Sequence, residues 1–177
     1  WRGPEDHEDL PDEGSLDAAE MDRAVAQALK EHRDDEELRV AIVLHVAPKE
    51  LHAAVKRAGA DMVELGVPFS DPLADGKVIQ QASQVALAHG VTTRQCMDLV
   101  AELRARGVNI PFLAMGYTNP IMAFGESRYA EAWHLAGADG LIVPDLPPEE
   151  ADDIKASCDA HGMALVQFVA PTSTDAR

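Results

Sequence analysis

Residues 58–83 read AGADMVELGVPFSDPLADGKVIQQAS. The stretch opens on a helix end at Gly59 and runs into a short apolar strand, MVELGV. A Pro/Asp/Gly-rich loop, PFSDPLADGK, follows, and then a helical pattern, VIQQASQVALAHG, stopped by Gly90. Strand, loop and helix in that order make one β/α unit. A strand that is apolar at almost every position is buried on both faces, which is the habit of parallel sheets covered by helices.

The same grammar recurs on both sides. VAIVLHV (40–46) reads as a first strand broken by Pro48, and KELHAAVKRAGA (49–60) as the helix leading into the quoted stretch. Downstream, Thr92 or Thr93 caps a helix, RQCMDLVAELRARG, ending at Gly107. IPFLAMGY (110–117) is a third strand and TNPIMAFG (118–125) a loop. ESRYAEAWHLAGA is a helix, GLIVPD (140–145) a fourth strand, and PPEEADDIKASCDAHG a helix with Pro in its first turn. MALVQFVAP (163–171) is a fifth strand. Ala-Gly-Ala-Asp stands before a strand at 58–61 and again at 136–139, with a looser DAHGMA at 159–164. A repeated β/α unit favours a (β/α)8 barrel over a doubly wound sheet, and no GxGxxG or GxxxxGKS follows any strand. The expected architecture is α/β, a TIM-type barrel represented by about five β/α units. An acidic arm and helix are expected over residues 1–38, and the partial barrel over 39–177.

Composition narrows the function classes. The 177 residues carry 15 Lys+Arg against 31 Asp+Glu, a formal net charge of −16. That argues against a nucleic-acid binder and against attachment to anionic lipid. Hydrophobic residues make up 46%, the globular norm. No apolar run reaches membrane-spanning length, and WRGPEDHEDLPDEG, acidic and without an apolar core, is not expected to act as a signal peptide. The two cysteines, Cys96 and Cys158, are expected as small buried residues in a reducing, cytoplasmic setting. The seven histidines are scattered, so no metal site is expected.

Barrel enzymes place their chemistry at the C-terminal ends of strands and on the loops that follow. Glu64, Asp71, Asp75, Tyr117, Asn119 and Asp145 fall there. Glu64 stands out, because a carboxylate between Val63 and Leu65 in a buried strand is costly unless it is paired or functional. It reads either as a Glu paired outward with a basic group, or as a general acid/base with a raised pKa. Asp75 alone reads as a turn former in Ala-Asp-Gly. Folded back over the same barrel mouth it would give two carboxylates with opposite roles.

The stretch ADMVELGVPFSDPLADGKVIQQAS (60–83) resembles the signature of the tryptophan synthase alpha subunit family. FLAMGYTNPIMAFG (112–125), GLIVPDLPPEEA (140–151) and VAPTSTDAR (169–177) continue the resemblance in family order. It implies a (β/α)8 barrel that cleaves indole-3-glycerol phosphate to indole and glyceraldehyde 3-phosphate, and a beta subunit as partner. Pyridoxal phosphate is implied for that beta subunit and no cofactor for this chain. Glu64 falls on the family's catalytic acid/base and Asp75 on its second catalytic carboxylate, beside the indole N–H. Tyr117, Ile142 and Phe168 fall on substrate-binding positions, and Pro68 and Asp71 on the loop that meets the beta subunit.

Three departures accompany the match. Lys77 replaces the Pro usual after ADG, which loosens the loop. The segment before residue 58 has LHVAPKEL in place of a Gly-Asp-Pro turn, and Gln167 stands where the fifth strand is usually apolar. The resemblance places the phosphate site and lid beyond strand six. The alternative expectation is therefore a catalytically incomplete fragment acting as a binding or interaction module, with weak affinity for the phosphorylated substrate and an open sheet edge. A further phosphate-binding barrel enzyme is a third reading, disfavoured by SDPLADG.

Overall fold

Five strands, each laid down beside the one before it, set the topology. The computed structural model describes residues 40–43 and 59–168, with only the strand's backbone described over 40–43. The strands are β1 (Val40–Val43), β2 (Met62–Gly66), β3 (Phe112–Met115), β4 (Gly140–Ile142) and β5 (Ala164–Val166). They form one sheet in the order β1-β2-β3-β4-β5, and every neighbouring pair is parallel. A doubly wound sheet would reverse its order at a switch point. Unbroken sequential order is the barrel's arrangement. The acidic arm and helix expected before residue 38, and the helix expected over 49–58, lie outside the described residues.

The helices are α1 (Lys77–Ala88), α2 (Thr93–Ala105), α3 (Thr118–Phe124), α4 (Glu126–Ala136) and α5 (Asp152–Ala160), with a 3-10 turn at Pro148–Glu150 before the last. Thr92 caps α2 through a full capping box. Its Oγ1 accepts from Gln95 N at 3.3 Å, and its own N–H donates to Gln95 Oε1 at 2.8 Å. Cys96, Met97, Val100 and Leu103 then recur on one buried face. Tyr129, Ala130, Trp133 and Ala136 do the same on α4.

Two expectations need correction. TNPIMAFG is not a loop: Thr118–Phe124 forms a short helix, ended by Gly125 at φ +94°. Its Pro120 lies in the first turn, where the ring displaces no intrahelical hydrogen bond, so a residue that reads as a breaker is compatible with helix. The fifth strand is three residues long, Ala164–Val166, rather than the longer run expected, and Gln167 and Phe168 lie exposed past its end.

Strand alternation divides the sheet into two faces. Val63, Leu65, Phe112, Ala114, Leu141 and Val143 pack with the helices in one core cluster. Glu64, Leu113 and Ile142 point the other way; Leu113 and Ile142 are buried but lie outside that cluster. In a barrel this second face is the interior.

The Ala-Gly-Ala-Asp repeat has a physical basis. Gly137 ends α4 in the left-handed region at φ +95°, a conformation a side chain disfavours. The Asp139 carboxylate then accepts the Phe112 N–H at 2.8 Å and an Arg104 N–H at 2.6 Å. Arg104 also donates from Nε to Gly137 O, and from Nη1 to Val108 O and Ile110 O, each at 2.8 Å. Its guanidinium covers the Phe112 ring at 4.8 Å. One side chain thus pins both helix-to-strand junctions at the N-terminal end of β3 and β4.

Candidate active site

Glu64 sits in mid-strand on the interior face, paired in register with Ile42 on one side and Leu113 on the other. It is half-buried. Burial, followed by the negative charge of Asp75, holds its carboxyl above the usual carboxylate range. Desolvation disfavours the anion, and a nearby like charge adds to that. The group is suited to carrying a proton at a pH where free carboxyls have lost theirs.

Asp75 lies on the loop between β2 and α1, and its backbone is tied into that loop. Its N–H donates to Pro72 O at 3.2 Å, and Gln80 of α1 donates from Nε2 to its carbonyl at 2.9 Å. The preceding Ala74 N–H donates to the Tyr117 hydroxyl at 3.2 Å. Lys77 is the first residue of α1, where Pro is otherwise favoured. Tyr117 itself follows β3, is 3% exposed, and packs its ring on Phe69 with centroids 5.3 Å apart. Burial and a hydrogen bond to the Asp75 carboxylate push its hydroxyl up to about 12.

Asp75 and Tyr117 thus meet past the ends of β2 and β3, and the charge of Asp75 reaches Glu64 in mid-strand. Ile142 is buried on β4, in register with Met115 and Val166, on the face that Glu64 occupies. Phe168 is 54% exposed, beyond the end of β5. Pro68 and Asp71 stand on the loop after β2, with Asp71 exposed and bonded to Ser70. Leu73, on the same loop, is 89% exposed.

Two contributors had no signal in the sequence. Gln80 and Phe69 hold the loop and the tyrosine from positions that read as ordinary helix and loop. Asp145, expected only as a strand end, accepts the Thr118 N–H at 3.0 Å and its hydroxyl at 2.9 Å. It caps α3 from a distance of 27 residues and joins the loops after β3 and β4. Among the described residues, no three or more His, Cys, Asp or Glu gather where they could hold a metal ion.

A family model described as "Tryptophan synthase alpha chain" matches residues 45–177. The chain belongs to the tryptophan synthase alpha chain family. The tryptophan synthase alpha chain of Roseiflexus sp. (strain RS-1) is 57% identical over 128 residues, covering 72% of this chain and 49% of that protein. That of Bordetella pertussis is 50% identical over 127 residues, covering 72% and 44%. Among solved structures, tryptophan synthase subunit alpha from Legionella pneumophila superposes with a TM-score of 0.72 at 33% identity, covering 86% of this chain and 60% of that one. A tryptophan synthase complex from Pyrococcus furiosus gives 0.70 at 31% identity, covering 78% and 59%. The chain spans about half the length of the curated relatives it matches. Residues 1–88 also match a model of the penicillin-binding protein OB-like domain. In the described part of that span β1 and β2 are parallel and α1 follows, whereas OB-folds are antiparallel barrels. Among the described residues no helix is long and apolar enough to cross a membrane.

Proposed function

We propose that these residues carry the acid–base half of an active site for the aldol cleavage of indole-3-glycerol phosphate to indole and glyceraldehyde 3-phosphate. The observation that carries the reading is the interior Glu64 carboxyl, held above its usual range by burial and by Asp75. The reaction needs no oxidant and no added water. A protonated Glu64 gives its proton to the indole carbon that bears the side chain, and the ring nitrogen takes up positive charge. The glycerol hydroxyl on the adjacent carbon then gives its proton to the Glu64 carboxylate, which restores the acid, and the O–H bonding pair becomes the second bond of the aldehyde C=O. The electrons of the breaking carbon–carbon bond return to the ring and leave free indole. Asp75 stabilises the ring N–H while it is cationic. An anion fixed before reaction at the point where charge develops is the strongest form of such help. Ile142 and Phe168 act as walls of the indole pocket.

Pro68 and Asp71, with the exposed Leu73 beside them, are the surface we assign to a beta-subunit partner. Pyridoxal phosphate chemistry belongs to that partner. The test is release of indole from indole-3-glycerol phosphate, with and without the partner, by the parent chain and by Glu64→Gln and Asp75→Asn. Loss of about 10²–10⁴-fold in both variants supports the pair. Equal turnover in parent and variants excludes it.

A further inference from the structure

The hydrogen bond between Ala74 and Tyr117 joins two elements that are far apart in sequence. Of the three bonds described above that fix the backbone around Asp75, the bonds to Pro72 and Gln80 lie within the loop and helix that follow β2. The third comes from Tyr117, 43 residues away. The base of that tyrosine is itself fixed. The Gly116 N–H donates to Ile142 O on β4 at 3.0 Å, and Thr118 is bonded through both its N–H and its hydroxyl to Asp145. The ring lies on Phe69, from the same loop as Asp75. Tyr117 is almost wholly buried beneath that loop, so its contacts are with protein.

We infer that Tyr117 is a positioning residue: a strut footed on β4 whose hydroxyl fixes the Asp75 loop over Glu64. It acts through Asp75 and does not touch the substrate. This inference rests on the proposed pairing of Glu64 with Asp75, and it assigns Tyr117 a different task from the substrate contact that the family resemblance implies. A phenol suits the task because its oxygen accepts the Ala74 N–H while its proton remains available to the Asp75 carboxylate. A fixed loop matters because a displacement of about 1 Å in a catalytic group can cost about 10²-fold in rate. The continuous path from Asp145 through Thr118, Tyr117 and Ala74 to Asp75 also ties the loop after β4 to the catalytic carboxylate.

The experiment uses the 177-residue chain and three variants: Tyr117→Phe, Asp75→Asn and the double variant. Tyr117→Phe keeps the ring on Phe69 and removes only the hydroxyl. Two readouts need no turnover: hydrogen exchange of the Ala74 amide, and the titration midpoint of the Glu64 carboxyl by carbon NMR. In Tyr117→Phe the Ala74 amide should exchange about tenfold faster, the value of one ordinary hydrogen bond, with the amides of β3 unchanged. The Glu64 midpoint should move down, because the negative charge that raises it is no longer held close. Asp75→Asn should lower the midpoint as well, and adding Tyr117→Phe to it should change the midpoint no further. Unchanged Ala74 exchange, an unchanged midpoint, or a midpoint that drops equally when Tyr117→Phe is added to Asp75→Asn would each overturn the strut.

Where the parent turns over indole-3-glycerol phosphate, Tyr117→Phe should lower kcat by about 10- to 100-fold with KM unchanged. A raised KM at constant kcat would mean that the hydroxyl touches substrate, and would also overturn it. A parent without turnover refutes the proposed reaction in this chain, while the two NMR readouts still decide the strut.

Discussion

Arg104→Ala tests whether the sheet is held from below by one guanidinium. The substitution removes three hydrogen bonds to backbone carbonyls, one to Asp139, and the stacking on Phe112. The side chains of Arg104 and Asp139 are 23% and 51% exposed, so water screens the ion pair, and it contributes only about 0.5 kcal/mol. Each carbonyl bond contributes about 1 kcal/mol, and water recovers part of that at a partly open site. Stacking of a partly exposed guanidinium adds about 0.5–1 kcal/mol. A loss of about 3 kcal/mol is expected, which for a chain of this size lowers Tm by about 6–12 °C. Arg104→Lys should recover less than half, because one ammonium cannot reach three carbonyls and a carboxylate at once. Urea unfolding followed by circular dichroism measures both. A loss below about 1 kcal/mol for the alanine variant, or full stability for the lysine variant, would refute the reasoning.

Glu64→Gln should stabilise the fold at neutral pH, because a carboxyl whose folded pKa is raised contributes stability only while protonated. That contribution is full below the unfolded pKa and is lost as pH rises through the folded value. The difference in Tm between variant and parent should be clear near pH 8 and vanish in acid; a constant difference would contradict the shift. Gly140→Ala should cost about 2 kcal/mol or more, because its Cβ would stand 2.7 Å from the Ala164 carbonyl oxygen and 2.8 Å from Leu113 Cδ2; urea unfolding reads it directly. Burial pushes both thiols, Cys96 and Cys158, up to about 11. Neither should react with a disulfide reagent at pH 8 until the chain is unfolded.

Much of the fold was legible because it rests on local rules. Apolar strands separated by amphipathic helices pointed to the parallel sheet, and the recurring Gly-Ala-Asp step marked where helices hand over to strands. Asp139 explains the step, since its carboxylate serves the next-door strand at Phe112. What stayed hidden depends on partners distant in sequence. Thr118–Phe124 reads as a loop because Asn119 and Pro120 favour turns, yet Asp145 caps its first residue from the loop after β4. Glu64 was readable as a buried carboxylate in an apolar strand. Asp75 was readable only in part: Ala-Asp-Gly is an ordinary turn sequence, a second carboxylate over the same mouth was the other reading, and the bond from Ala74 to Tyr117 beside it depends on the fold. Gln80, which holds the Asp75 carbonyl, gave no signal in a helix that also carries Gln81 and Gln84.

The most direct measurement of the central claim is proton exchange at the indole ring in deuterated water. A carboxyl that protonates the ring carbon in the forward direction must also remove a proton from it in reverse, and indole alone suffices as the probe. With the parent chain, the proton signal of the carbon that carries the side chain in the substrate should decay faster than in protein-free solution. With Glu64→Gln the rate should fall to the protein-free value. Equal decay with parent and variant would show that Glu64 does not exchange protons with the ring.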